Sequence, residues 1–355
     1  MISCVPSPDA ARDVKILVIR FSSIGDIVLT TPVLRCLKQQ LGAEVHVLTK
    51  ESFRTILEVN PYVDRVISIR HKVGEAAAQL RETRYTAVVD LHCNLRSFQA
   101  RLLLWRTPSV GFDKQNIAKW GMVRLKSRSV QIPHVVDRYL AAAARLGIVP
   151  DGQGLDFFIP PDQELELARL ATEMQAGDAL REAIEGGQYL ALVVGAAHAT
   201  KRLPLEKAIA LCWKLPKPIV LLGGASEREE GERIAAECPG VFNACGRYSL
   251  QQSASILRQS SKVIANDTGL MHIAAAFHKE IISLWGSTVP EFGMSPYYPK
   301  GMSRNASVEV QGLSCRPCSK IGFQQCPQGH FSCMRQLDEE RIVCLAGKKS
   351  VAEGG

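Results

Sequence analysis

The sequence predicts an α/β protein built from doubly wound parallel sheets, and three observations support this. Short apolar runs rich in Val and Ile alternate with stretches of helical apolar spacing along most of the chain. Each run is almost continuously hydrophobic, which is typical of a parallel strand covered by helices on both faces. The length of 355 residues exceeds one ordinary domain and suits two.

The elements follow the same order in both halves of the chain. In the first half we expect a strand at 14–20, a helix at 24–41 that ends at Gly42, and further strands at 45–49, 65–69 and 87–91. In the second half the strands are expected at 189–194, 218–222, 263–265 and 281–285. The helices between them are expected at 205–213, 227–237 and 250–258.

A break between the halves is predicted at 151–163, where two Gly and two adjacent Pro interrupt the pattern. We therefore expect an N-terminal domain at 14–160, a C-terminal domain at 161–335 and a helical tail at 336–355. Two such halves would face each other across a cleft, where ligands of α/β proteins usually bind.

Composition and charge exclude several classes of protein. Hydrophobic residues make up 46% and charged residues 22%, which is not the composition of a disordered chain. The sequence contains no run of about 18 apolar residues, so we expect no membrane-spanning helix. The charged segment 1–13 lacks the apolar core of a secretory signal. Eleven cysteines without such a signal predict a cytoplasmic protein with reduced thiols. The net charge of +8 indicates an acidic partner: phosphate, nucleic acid or an anionic membrane.

The first candidate site follows the first strand and consists of Ser22, Ser23, Gly25 and Asp26. Loops at the carboxyl ends of parallel strands face the ligand crevice, and Gly25 permits close approach of the backbone. The alternative is that Ser22, Ser23 or Asp26 only caps the next helix. No G-x-G-x-x-G motif follows the strand, which disfavours a nicotinamide dehydrogenase.

Three further candidate loops lie in the second half. A polar turn at Asp267 and Thr268 leads into a helix at Gly269, whose free N–H groups suit an anion, with His272 one turn inside. The loop 194–202 combines small residues with Lys201 and Arg202, which suits a diphosphate. In the loop 223–227, Glu227 could accept hydrogen bonds from ribose hydroxyls. Each loop also has a structural alternative. The turn at Asp267 and Thr268 could simply begin a capped core helix with a satisfied histidine, the loop 194–202 could be a solvated basic loop, and Glu227 could only favour a helix N-terminus.

The order of these segments resembles the lipopolysaccharide heptosyltransferases, glycosyltransferase family nine. The resemblance extends from about Lys15 to about Leu337. It rests on KILVIRFSSIGDIVLTTPVL, DLHCNLRS, a glycine-and-lysine loop, LLGGASE, ANDTGLMHIAAA and LWGSTVPEF. The specific signatures are SSIGD after the first strand, and NDTGLMHIAAA with the later GSTVPEF.

The resemblance implies a GT-B architecture, with two Rossmann-like domains facing across a cleft. It implies an inverting transfer of heptose from ADP-heptose to the inner core of lipopolysaccharide, with no cofactor. Asp26 then matches the general base and Lys201 the donor-loop cation. The resemblance assigns the ribose contact to Glu227, although Glu229 or Glu230 could be aligned with the same position of the family. The remaining donor contacts are expected at Gly195, Thr200, Asp267, Thr268, Gly269 and His272, and the acceptor contacts at Ser22, Ser23, Gly25, Asn94 and Arg96.

Metal-independent transfer is expected because no Asp-x-Asp pair is suitably placed in a donor loop. Lys201 and the helix N-terminus at Thr268 and Gly269 would instead stabilise the departing ADP. Separately, Cys315, Cys318, Cys326, His330 and Cys333 have metal-like spacing. We predict no catalytic metal and leave open whether this cluster holds a structural zinc or is a compact loop of buried thiols.

Positive charge is concentrated at 94–128, where eight cations and one acid give +7 against +8 for the whole chain. Phe98, Trp105, Phe112 and Trp120 are interleaved with these cations. One interpretation is a solvated helical face with buried aromatics, and nucleic acid would favour a similar patch. The resemblance favours a lipid-linked lipopolysaccharide core acceptor at the anionic inner-membrane surface, contacted from the cytoplasmic side, and no nucleic acid.

Two alternatives to a lipopolysaccharide heptosyltransferase stay open on the sequence. One is a related nucleotide-sugar transferase that acts on another sugar or acceptor, such as a capsule glycan or a protein. The other is a nucleotide-binding homologue without catalysis, although the presence of both Asp26 and Lys201 counts against it.

Overall fold

Parallel strands form two sheets, as the alternation of strands and helices predicts. The computed structural model describes residues 14–126 and 130–348. Contacts between residues divide the chain into two units, Met1–Gln115 with Pro133–Phe158 and Asn116–Ile132 with Ile159–Gly355. Elements are numbered below along the chain.

The first unit is built on a five-stranded, all-parallel sheet with the order β3-β2-β1-β4-β5. Its strands are β1 (Lys15–Ile19), β2 (Glu44–Lys50), β3 (Arg65–Ile69), β4 (Ala87–Asp90) and β5 (Ser109–Gly111). Its helices are α1 (Ile24–Val28), α2 (Thr31–Leu41), α3 (Arg54–Leu57), α4 (Ala77–Glu82), α5 (Leu95–Leu103) and α7 (Val135–Ala143). Side chains such as Leu17, Leu48 and Val88 form its buried core.

The predicted helix at 24–41 is two helices, and this part of the prediction is wrong. The hydroxyl of Thr30 donates to the carbonyl of Ile27 at 2.7 Å, and Pro32 lies at the start of α2. Proline is tolerated in the first turn of a helix but would remove a hydrogen bond from the interior of a longer one. The predicted end at Gly42 is confirmed, with a positive φ of 59°.

The second unit is built on a six-stranded, all-parallel sheet with the order β11-β10-β9-β6-β7-β8. Its strands are β6 (Leu190–Val193), β7 (Ile219–Leu222), β8 (Val241–Asn243), β9 (Lys262–Asn266), β10 (Ile281–Trp285) and β11 (Asn305–Glu309). Its helices are α6 (Asn116–Leu125), α8 (Leu167–Glu173), α9 (Asp178–Glu185), α10 (Leu205–Lys214), α11 (Arg228–Glu237), α12 (Leu250–Gln259), α13 (Gly269–Ala276), α14 (Ser332–Arg335) and α15 (Glu339–Gly347).

The division into units differs from the expected domain boundaries in two respects. It falls between Phe158 and Ile159, within the predicted break at 151–163, but residues 116–132 also belong to the second unit. The described part of the expected tail, 336–348, packs against this unit, because Leu337, Ile342 and Ala346 are buried in its core. None of the helices within 14–126 and 130–348 is long and apolar enough to cross a membrane.

Candidate functional site

The first candidate site lies where the strand order of the first sheet changes direction. β1 lies between β2 and β4, and Ile19 pairs with Asp90 at the carboxyl ends of β1 and β4. The loops that leave these two strands therefore start side by side, at the position where open α/β sheets bind ligands. The sheet thus brings Asp26 and the start of α5 to one edge.

Asp26 lies in the first turn of α1 and is held as a carboxylate by three donors. The guanidinium of Arg20 lies 2.7 Å from Oδ1. The backbone N–H and the hydroxyl of Ser23 donate to Oδ2 at 3.0 and 2.9 Å. Desolvation raises the pKa of Asp26, but Arg20 and Ser23 outweigh it, so the net pKa lies below the ordinary value. The carboxylate keeps 23% of its side-chain surface exposed, so an acceptor can reach it.

Of the three residues that the alternative interpretation offered as caps of α1, Asp26 takes part in capping, because it accepts from the N–H of the N-cap residue Ser23. Capping and catalysis are compatible here, because a carboxylate has about four lone-pair positions.

Arg20 connects the two loops of this site and was missed by the sequence reasoning, which assigned it only to a strand. It donates to the hydroxyl of Tyr139 at 2.7 Å, to the carbonyl of Ser22 at 2.8 Å and to the carbonyl of Leu91. Burial raises the pKa of Tyr139, so the phenol stays protonated. An arginine at the end of an otherwise apolar strand was the available signal, since a buried charge requires partners.

The other predicted acceptor residues are held by local structure. Gly25 is buried within α1. The side-chain oxygen of Asn94 caps α5 by accepting from the N–H of Ser97 at 2.9 Å. The guanidinium of Arg96 lies 5.7 Å from the ring centre of Phe21. All of them line the same two loops, and Asn94 has a structural role in addition to any contact with a ligand.

His92 is a further polar residue of this site that the sequence reasoning did not single out, although it lies in the DLHCNLRS segment. Its ring meets Phe21 edge to face, with 5.4 Å between the ring centres. Burial lowers the pKa of His92 to about 4, and the nearby charges of Arg20 and Lys114 act in the same direction. His92 is therefore neutral at pH 7. Two carboxylates lie at this edge, Asp26, which is partly exposed, and Asp90, which is buried.

The second candidate site lies at the corresponding position of the second sheet. β6 lies between β9 and β7, and Val193 pairs with Ala265 near the ends of β6 and β9. The buried side chain of Asn266 donates to the carbonyls of Val193 and Val194, both at 3.2 Å, which fixes the two strand ends together. The loops that carry Lys201 and Asp267 are thereby adjacent.

Lys201 and Asp267 form an ion pair at 2.7 Å, with 14% and 11% of their side chains exposed. The same carboxylate oxygen accepts from the hydroxyl of Thr288, in the loop after β10, at 2.9 Å. An ammonium group has three donors, so Lys201 can keep Asp267 and still bind a phosphate. Thr288 lies in the GSTVPEF segment, but the sequence assigned it no role.

Thr200 joins three loops of the second unit. Its buried hydroxyl pairs with the hydroxyl of Ser287 at 2.8 Å and accepts from the N–H of Phe323, also at 2.8 Å. Thr200 therefore fixes the position of the neighbouring Lys201.

Glu227 and Gly195 lie against each other beside the loop that carries Lys201. Glu227 is 4% exposed. It accepts from the N–H of Gly224 at 2.8 Å and the hydroxyl of Ser226 at 2.6 Å, and it pairs with Arg202 at 3.0 Å. A Cβ atom on Gly195 would lie 2.9 Å from the Glu227 carboxylate, so this contact requires glycine.

The helix α13 begins where the sequence predicts an anion site. Thr268 is its N-cap residue, with an extended backbone, and no side-chain bond caps the helix. Gly269 is the first helical residue, and His272 is 2% exposed one turn inside. The N-terminal N–H groups and positive dipole end of α13 thus lie directly after Asp267.

The cysteine-rich segment 315–333 holds the loop that follows β10 in place through hydrogen bonds. The buried guanidinium of Arg316 donates to the carbonyls of Gly286 and Thr288 and pairs with Glu309 at 2.9 Å. The N–H of Cys318 donates to the carbonyl of Ser287 at 2.9 Å. Burial raises the pKa of Cys318 to about 11. Within the described parts of the chain, no group of three or more His, Cys, Asp or Glu side chains is arranged to hold a metal ion.

Solved structures share this architecture. The Escherichia coli ADP-heptose lipopolysaccharide heptosyltransferase II superposes with a TM-score of 0.64 at 20% identity, over 93% of this chain and 97% of that one. The Escherichia coli heptosyltransferase WaaC with ADP gives a TM-score of 0.61 at 22% identity, over 92% and 97%. The fold is therefore that of the GT-B glycosyltransferases.

The family follows from the sequence. The model of glycosyltransferase family 9 (heptosyltransferase) matches residues 73–325, and the chain belongs to this family. The chain is 28% identical to lipopolysaccharide heptosyltransferase 1 of Pseudomonas aeruginosa, over 93% of both proteins. The resemblance seen in the motifs is thus confirmed, and the protein is a glycosyltransferase.

Proposed function

We propose that this glycosyltransferase moves a heptose from ADP-heptose to the inner core of lipopolysaccharide, with inversion and without a metal. The observation that carries the proposal is an ionised, partly exposed Asp26 at the carboxyl edge of the first sheet. Two of the similar proteins described above, a lipopolysaccharide heptosyltransferase and an ADP-heptose heptosyltransferase, support the sugar and the acceptor.

Asp26 is proposed to act as the general base. An acceptor hydroxyl attacks the anomeric carbon, its proton passes to the Asp26 carboxylate, and the bond from the anomeric carbon to ADP breaks. Because Arg20 and Ser23 lower the pKa of Asp26, the carboxylate is a weak base towards the acceptor hydroxyl before attack begins. Proton transfer then accompanies attack, when the hydroxyl has become more acidic. Arg20 also fixes the direction of the carboxylate.

The leaving ADP is proposed to be stabilised in the second unit. Lys201 is held by Asp267 at 2.7 Å, so its charge is in place before the donor binds and little reorganisation is needed. The N-terminus of α13 at Thr268 and Gly269 adds N–H donors and a positive partial charge. Together they offset the charge that develops on the diphosphate as the glycosidic bond breaks.

Glu227 is proposed to contact the ribose. Its carboxylate already takes part in three interactions, with Gly224, Ser226 and Arg202. About four lone-pair positions are available on a carboxylate, so one remains for a ribose hydroxyl. Glu229 and Glu230 lie on α11, and neither is joined to the Gly195 loop as Glu227 is.

The stereochemical outcome tests the single-displacement mechanism. Direct attack by the acceptor inverts the anomeric carbon, so the new linkage should have the opposite anomeric configuration from the donor sugar. Proton NMR of the product in the first turnovers measures this. Retention of configuration would exclude direct attack from the face opposite ADP and would contradict the role given to Asp26.

Activity should survive prolonged treatment with EDTA, because Lys201 and the N-terminus of α13 supply the positive charge near the leaving group. The measurement is the initial rate of ADP release before and after chelation, with thermal unfolding as a control for the fold. A loss of rate that Mg²⁺ or Mn²⁺ restores would contradict the proposal. A loss of thermal stability that Zn²⁺ restores would instead indicate a structural metal at the Cys315–Cys333 segment.

The acceptor is proposed to be lipid-linked and reached at an anionic membrane surface. Of the eight cations at 94–128, Arg128 lies outside the described residues. The segment contains one acid, Asp113, and Arg101 also lies 3.8 Å from Asp90, which precedes the segment. Each Lys or Arg close to an anionic surface contributes about 1 kcal/mol to binding, so this excess favours such a partner.

A further inference from the structure

The helix α5 is apolar on two opposite faces, and only one of them is covered. Its inner face buries Ser97, Ala100 and, just beyond the helix, Leu104 in the first unit. Its outer face presents Leu95, Phe98 and Leu102, with 74%, 50% and 54% of their surface exposed, and Trp105, 72% exposed, follows in the turn just after the helix. The three helical residues recur at intervals of three and four and therefore share one side of α5. Together with Trp105 they form the apolar stripe.

A helix that is apolar on both sides is normally buried on both, and contiguous exposed apolar surface marks an interaction site. We propose that the apolar stripe of α5 docks the enzyme on an anionic lipid surface. This deepens the proposed function, since it assigns a place where a lipid-linked acceptor would be met.

The charges around the stripe favour anionic lipid as the occupant. Residues 91–112 contain Arg96, Arg101 and Arg106 and no acidic residue. The guanidinium of Arg106 stacks 4.8 Å from the ring centre of Trp105, which places a cation beside the most exposed aromatic ring. Helices that lie in the headgroup region of a bilayer typically carry Leu, Phe and Trp flanked by arginine.

A second copy of the chain fits this surface less well. In a two-fold dimer the same patch meets itself, so Arg96 and Arg106 of both copies would be brought together, and residues 91–112 contain no acid to offset them. Arg101 already lies 3.8 Å from the buried carboxylate of Asp90. The stripe also begins directly after Asn94, at the loop where the acceptor is proposed to bind. Docking through α5 would hold this loop at the membrane surface.

The double variant Leu102→Gln/Trp105→Ser tests the proposal by flotation with vesicles of phosphatidylethanolamine and phosphatidylglycerol. Wild type should float at low salt, release at high salt and stay unbound with phosphatidylcholine alone. Loss of two large apolar contacts should lower the bound fraction about tenfold or more. Trp213→Ser is the matched control, because Trp213 is also an exposed tryptophan, at 60%, and should float like wild type.

Three results would overturn the proposal: wild type that does not float with anionic vesicles, a double variant that floats like wild type, or a wild-type dimer in sedimentation that the double variant abolishes. ADP titration and thermal unfolding show whether the variant is folded. Turnover with a lipid-linked core dispersed in detergent separates the two claims, because this acceptor needs no vesicle. If wild type fails to use it with ADP-heptose, the proposed function fails, while flotation still decides the role of the stripe.

Discussion

Asp26→Ala is expected to lower the turnover of sugar transfer by about 10²–10⁴, the usual contribution of a general base, while the affinity for ADP stays close to that of wild type. Asp26 lies in the first unit, whereas Lys201, Asp267 and Glu227 lie in the second. The loss should therefore appear in kcat and not in donor binding. Single-turnover kinetics together with ADP titration separate these two quantities.

The control for Asp26 is the isosteric variant Asp26→Asn. Its side-chain oxygen can still accept from Ser23, but it cannot take a proton, so it should be nearly as inactive as Asp26→Ala. The pKa of Asp26 lies below its usual value because Arg20 and Ser23 outweigh desolvation, so the carboxylate stays ionised as pH falls until that low pKa is reached. The deficit of Asp26→Asn should therefore be the same at about pH 6 and about pH 8. Near-wild-type turnover of both variants would remove Asp26 from the role of base.

Lys201→Ala is expected to lower turnover of the ADP-sugar by about 10²–10³, the range seen when one preorganised donor to a developing negative charge is removed. The ammonium of Lys201 is fixed by Asp267 at 2.7 Å, and Thr288 donates to the same carboxylate at 2.9 Å. Asp267 would keep Thr288 as a partner in the variant, so the loop should hold its shape. The measurements are kcat and KM for the donor.

Lys214→Ala is the matched control for Lys201, because Lys214 is a half-exposed lysine of the same unit that pairs with Glu339 and Glu340. Its removal should leave kcat and donor KM unchanged. Lys201→Arg keeps the charge and should recover part of the rate. Donor KM and turnover at wild-type values in Lys201→Ala would show that the diphosphate binds elsewhere.

The strands could be predicted from sequence because covered parallel strands require continuous apolar runs. Val and Ile at 14–20 and 281–285 gave such runs, and β1 and β10 lie there. The interruption between α1 and α2 was missed because Thr30 and Pro32 preserve the apolar spacing of one long helix. The contribution of residues 116–132 to the second unit was also missed, because pattern reasoning follows chain order and contains no information on which sheet a later segment packs against.

The candidate site shows the same limit. The loops of Asp26, Lys201 and Asp267 were found because they follow predicted strands. Arg20 was not, because its partners, among them Tyr139 and the Leu91 carbonyl, are distant in sequence. Arg316 was missed for the same reason, since it acts on Gly286 and Thr288 through space. The residues proposed for catalysis and binding could be recognised as motifs in the sequence. The residues that hold them in place could be recognised only from the fold.

Mass spectrometry of the acceptor after incubation with ADP-heptose tests the central claim most directly. With a truncated lipopolysaccharide core as acceptor, wild type should add the mass of one heptose, and Asp26→Asn and Lys201→Ala should add little or none in the same time. Replacing ADP-heptose by ADP-glucose distinguishes the donor sugar. An unmodified acceptor in the presence of ADP-heptose, with a folded enzyme that binds ADP, would contradict the account.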